Sequence, residues 1–180
     1  MLIAKQKKKE NIAEYLLYMW QIEDIIRANK LDINLIEENI INKFDLDEAI
    51  RQEMIDWYTG LIEMMKLENV TETGHLQINN NIIIDLTDLH LRLLKTPQEA
   101  NYIASYYRTL PFIVELRTRQ ENKDLPELET CFSALYGFLL LRLQGKDISG
   151  ETQAAIAQIS SFLRLLSSKY KAEKDGELDI

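Results

Sequence analysis

Few side chains in this sequence could bind a soft metal or carry a proton near neutral pH: two histidines, His75 and His90, and one cysteine, Cys131. A carboxylate-bridged metal pair in a helical protein needs Glu-x-x-His on facing helices, because residues three apart share a helix face and can grip the metals together. Glu72 and His75 have that spacing, but they lie beside Gly74 in the polar stretch from Glu68 to Gln77, and no second copy exists. Two histidines are also too few for a His cluster. No metal site and no cofactor are expected.

His90 falls in the apolar segment from Ile78 to Lys95, near Asp85 and Asp88. Neither acid is three or four residues away, so neither shares its helical face. Its helical neighbours are Leu86, Thr87, Leu93 and Leu94, which read as the edge of a core around a neutral imidazole. A general base here would have to recruit partners from distant parts of the chain. Cys131, in Cys131-Phe132-Ser133-Ala134-Leu135, reads as a small buried hydrophobe, since no nearby His or Lys would favour a thiolate. Glycine-rich phosphate loops and nucleophile elbows are absent. No catalytic residue is assigned, and an enzyme ranks third among the functional readings.

Arg108, Glu115, Arg117 and Arg119 flank Pro111, together with Tyr102, Tyr106 and Tyr107. A broken helix that gathers Arg and Tyr can line a pocket, where a guanidinium fixes an anion. Arg108, Tyr106, Tyr102, Glu115 and His90 form the candidate ligand-binding set. The competing reading is surface Arg–Glu pairing over an aromatic core. Lys5, Lys7, Lys8 and Lys9 make a short basic patch without interleaved aromatics, read as a solvated lead-in; at a helix start they would oppose the helix dipole. A net charge of −8 argues against coating a phosphate backbone, so no nucleic-acid partner is expected. Residues 31–70 hold 10 Asp/Glu against 3 Lys/Arg, a local balance of −7 that suits solvated helix faces or a partner-facing surface.

The elements that must position these groups are helices. Apolar residues recur at helical spacing almost throughout, strand alternation is nearly absent, and only 6 Gly and 3 Pro interrupt 180 residues. Ile12, Leu16, Met19, Ile22 and Ile26 mark one stripe, opened by Asn11 and Glu14 at capping-box spacing. Ile33, Ile36, Ile40 and Phe44 mark a second, and Asp45 with Glu48 proposes a cap for a third through Ile50, Met54, Trp57 and Leu61. Tyr15, Tyr18, Trp20, Trp57 and Tyr58 enrich this region in aromatics, about half of them expected in the core. Thr96-Pro97-Gln98-Glu99 signals a helix start. Pro111 should kink or divide the helix that follows, by removing a donor and crowding the preceding turn. Asp124-Leu125-Pro126-Glu127 opens the next helix, which closes at Gly145. Ser149 caps the last, with Ile156, Ile159, Leu163, Leu166 and Tyr170 spaced as in close helix packing. The expected fold is all-α, a single-domain antiparallel bundle of about six or seven helices over residues 1–172 with a polar tail at 173–180.

Two segments resemble a known family. Lys7-Lys8-Lys9-Glu10-Asn11-Ile12-Ala13-Glu14-Tyr15-Leu16-Leu17-Tyr18-Met19-Trp20 is similar to the opening of a bacterial family of all-helical proteins known only as a domain of unknown function. Leu135-Tyr136-Gly137-Phe138-Leu139-Leu140-Leu141-Arg142-Leu143-Gln144-Gly145-Lys146 is similar to its later portion. The resemblance implies a compact helical protein of bacterial origin and transfers no site residue. The expected function is protein–protein contact, with a homo-oligomer or protein partner joined through Ile156, Ile159, Leu163 and Leu166. The alternative is a ligand-binding or sensor domain with its pocket near Pro111. A cytoplasmic location is expected: the opening Met1-Leu2-Ile3-Ala4 is too short for a secretory signal, and the run Phe138 to Leu141 is far short of a membrane span.

Overall fold

Helix starts in this protein follow the side chains able to satisfy free backbone donors. The structure, a computed structural model, describes residues 2–119 and 125–178. Asn11 accepts from the Ala13 amide at 3.1 Å where α1 (Leu2–Glu10) gives way to α2 (Ile12–Ala28). Asp32 caps α3 (Ile33–Asn39) through Asn34, and Ser149 caps α8 (Gly150–Lys174) through Thr152. Each such cap contributes about 1 kcal/mol. The cap of α4 (Glu48–Leu67) is Asp47, bonded to the Ile50 amide at 2.9 Å, and not Asp45 as the capping-box spacing suggested. Asp45 sits two residues too early to reach the first free amides.

Among the described residues there are eight α-helices and no strand, so the fold is all-α. The helix beyond the expected six or seven is α1. Its lysines Lys7, Lys8 and Lys9 fill its last turn, where cations complement the dipole, and do not sit at a helix start as the sequence suggested. α5 spans Gln77–Leu94 and α6 spans Ala100–Arg119, with a 3-10 turn over Pro97–Glu99 between them. The Thr96 hydroxyl donates back to the Arg92 carbonyl and leaves that turn uncapped. Pro111 does not divide α6: the helix continues unbroken on both sides of it. The next helix, α7 (Glu127–Leu143), follows Pro126, while Asp124 lies outside the described residues.

The described chain forms two compact units. One comprises the residues up to Lys9 with Glu14–Asn81, the other Glu10–Ala13 with the residues from Ile82 onward. In the N-terminal unit, α3, α4 and the 3-10 turn Ile41–Lys43 pack together, and Trp20, Ile26, Ile36, Ile41, Tyr58 and Met65 are buried. Lys30 and Leu31 follow α2 at positive φ, and the Leu31 amide bonds to the Ile26 carbonyl, closing that helix in a left-handed turn. In the C-terminal unit α6, α7 and α8 pack on one another. Lys169 of α8 bonds to Glu99 just before α6, and Gln158 bonds to Thr109, so α6 and α8 run antiparallel. Leu86, Leu89, Leu93, Tyr102, Phe132, Phe162 and Leu163 are buried there.

Candidate functional site

A trough on the N-terminal unit has the volume and the apolar lining that suit a ligand. Tyr18, Ile22 and Ile25 repeat at helical spacing along one face of α2, as Ile50, Glu53, Met54 and Tyr58 do along α4. Ile3 of α1 and Ile40, Phe44 and Leu46 from the connection before α4 complete the walls. The volume is about 400 Å³, within the range of ligand pockets, and the only charged lining residue is Glu53. Ile22, Met54 and Tyr58 form a buried floor, whereas the lips Phe44, Ile3 and Ile50 are exposed by 58%, 49% and 36%. Burial, with Tyr18 adding to it, pushes the Tyr58 hydroxyl up to about 12, so it stays protonated across the physiological range. Asp45, Asp47 and Glu48 stand exposed where the lining connection enters α4.

The second constellation in this unit joins residues more than fifty positions apart. Glu23 is fully buried. One carboxylate oxygen accepts from the Leu76 amide at 3.0 Å and from Asn79 at 2.7 Å, and the other faces His75 Nδ1 at 2.6 Å. The His75 ring stacks on Trp20 with centroids 4.1 Å apart. Arg27, one turn along α2, donates to the Val70 and Gly74 carbonyls. Glu23 therefore caps α5 from a neighbouring helix and holds down the loop before it. The cluster is a clasp, since the Glu23 carboxylate is engaged on both oxygens by the chain itself.

In the C-terminal unit the structure gathers three of the five residues expected to bind a ligand. His90 Nδ1 lies 2.7 Å from the Tyr102 hydroxyl, and its ring meets Tyr102, Tyr106 and Phe162 edge-on. Tyr106 donates to Glu127 at 2.7 Å. Burial lowers the His90 pKa, with Glu127 opposing, and burial raises both tyrosines. These rings fill the interior. Arg108 is exposed and turns back to the Ala104 carbonyl at 3.3 Å, apart from them. Glu115 is also exposed, beside a cavity of about 110 Å³ lined by Phe112, Leu116, Thr152 and Ile156. The Arg119 side chain lies outside the described residues. Ile156, Ile159, Leu163 and Leu166 are all buried within the chain. Cys131 is buried too, its thiol pushed up to about 12 by burial and the Glu127 charge.

The last feature is α7, which is apolar on every side. Its first turns bury Leu128, Cys131 and Phe132, but none of residues 133–143 is fully buried. Leu141 and Leu143 are 37% and 69% exposed, and Arg142 lies over the Phe138 ring at 5.9 Å. Sequence reading takes the run Phe138 to Leu141 as too short for a membrane and as part of a family resemblance, not as an exposed face. It missed Glu23 as a cap and the trough entirely. The Tyr18–Ile22–Ile25 and Ile50–Met54–Tyr58 spacings were visible, but pairing them requires knowing that α2 and α4 share a wall. Among the described residues no helix is long and apolar enough to cross a membrane, and no group of three His, Cys, Asp or Glu is placed to hold a metal.

The model of a family described as a domain of unknown function (DUF4924) matches residues 1–177, and the chain belongs to that family. No curated protein and no solved structure matches the chain.

Proposed function

We propose that this family member is a binding protein that acts through protein–protein contact and self-associates through the C-terminal half of α7. The observation that carries the reading is the stretch Ala134, Leu135, Tyr136, Phe138, Leu139, Leu140, Leu141 and Leu143, apolar all round and nowhere fully buried. A helix apolar on all sides belongs in an interior, and a side chain such as Leu143 left in water forfeits much of the roughly 1.5–3 kcal/mol that full burial would supply, the half-buried ones a smaller part. The stretch carries a single charge, Arg142, near its end. A copy of the same stretch is an apolar match for it, and a two-fold axis brings the two together with each residue contacting its counterpart's neighbours. The reading sets the protein to work in a bacterial cytoplasm, where a free buried thiol such as Cys131 meets a reducing milieu.

Sedimentation velocity and native mass spectrometry over a hundredfold concentration range test it. The expected result is a dimer that Leu143→Glu combined with Leu141→Glu converts to a monomer of unchanged helicity. Both positions are exposed, so the fold tolerates the change. A wild type that stays monomeric at every concentration would defeat the proposal.

A further inference from the structure

The trough on the N-terminal unit is independent of α7, and its chemistry selects a different occupant. We infer that it receives an amphipathic helical segment of another protein, one whose flank is basic. Three observations support this occupant. The lining is apolar apart from Glu53 and the two tyrosine hydroxyls, so the inserted surface must be apolar. The lips are open: Phe44, Ile3 and Ile50 remain exposed, whereas a small-molecule pocket encloses most of its ligand. A helix laid in a trough buries one face and leaves the other in water, and that match leaves such lips exposed until it arrives.

Charge fixes the sign of the flank. Residues 31–70, which supply Ile40, Phe44, Leu46, Ile50, Glu53, Met54 and Tyr58 to the trough, carry a balance of −7 in a chain whose net charge is −8. Of their three cations, Arg51 bonds to Glu37 at 2.6 Å and approaches Glu48, while Lys43 and Lys66 leave the acids in large excess. On the α1 side, Lys7 pairs with Glu14 and Lys8 lies over Tyr15, so both turn onto α2. An anionic amphiphile or acidic helix would meet Asp45, Asp47, Glu48 and Glu53 as like charges, whereas lysines or arginines on the flank complement them.

The test titrates the full-length protein with two synthetic helices of about 14 residues, four turns each. One combines leucine with lysine, and the other carries glutamate in place of lysine. The expected result is binding of the lysine helix about tenfold tighter or more, weakening with added salt. Phe44→Ser with Ile50→Ser should reduce that affinity at least tenfold while leaving the circular dichroism and the sedimentation of the protein unchanged. Asp45→Asn with Glu53→Gln should narrow the preference between the helices, and it spares the Asp47 cap. Equal binding of both helices overturns the inference, as does undiminished affinity in the Phe44/Ile50 variant, which would mean charge attraction without the trough. Binding of dodecylammonium with neither helix bound would assign the trough to a small amphiphile. Loss of self-association in the Phe44/Ile50 variant would assign it to a second copy. Either result also overturns it. Failure of the α7 variants to dissociate a dimer bears only on the α7 reading.

Discussion

His90 shows how a single buried ring ties stability to pH. Its imidazole is 3% exposed and faces Tyr102, Tyr106 and Phe162, with the negative charge of Glu127 partly offsetting the burial. Burial disfavours the charged form, so the folded-state pKa falls below the ordinary value near 6.5. Below that ordinary value the unfolded chain binds a proton that the folded chain refuses. Stability is therefore unaffected above about pH 7, and drops as pH falls through the ordinary value toward the lowered one. The loss has a slope of up to about 1.4 kcal/mol per pH unit and levels off once the folded form protonates. His90→Gln should cost about 1–2 kcal/mol at pH 7.5 through its altered bond to Tyr102. It should also flatten the decline between pH 7 and 5. Urea unfolding at several pH values checks both, and parallel curves for the two proteins would count against this role.

At the scale of the helix, Pro111 has the clearest consequence. It sits exposed inside α6, with no amide to donate to the Tyr107 carbonyl and a ring pressed toward that turn. Pro111→Ala should raise stability by roughly 1–3 kcal/mol, readable as a higher urea midpoint with unchanged oligomeric state. A lower midpoint would mean that the ring fills space that the structure shows as solvent. The same helix marks where sequence reading runs out. Periodicity placed α2, α4, α5, α7 and α8, and caps placed the starts of α2 and α8, because those signals are local: Asn11 and Ser149 bond within three residues. Proline's local preference for breaking a helix lost to the packing of α6 on α7 and α8. The site was less legible for the same reason. Tyr102 and Tyr106 stand out by their nearness to Pro111 and His90 by its place on the apolar segment 12 residues before Tyr102, and the fold joins all three. Arg108 shares that neighbourhood but points to the other side of α6. Glu23 and His75, 52 residues apart, left no local trace.

For the molecule as a whole, its own chromophores separate the two units. Trp20 and Trp57 both lie in the N-terminal unit, while Cys131 lies in the C-terminal one. Tryptophan fluorescence therefore reports one unit and thiol labelling the other. Leu163→Ala removes a fully covered side chain of α8 and should cost about 2–5 kcal/mol. Its expected signature is Cys131 labelling at lower urea than in the wild type, with a smaller shift in the tryptophan transition. Equal shifts would show that the units lose structure together. Charge is also a whole-molecule property here, since residues 31–70 hold nearly all of the net negative charge. Such concentration makes a field felt beyond contact, out to about 8 Å in physiological salt. For a cationic partner this acts on encounter more than on residence: the acids beside the trough hasten arrival, and its apolar lips and floor set how long the partner stays. Speed of capture and lifetime of the complex are thus assigned to different residues of one trough.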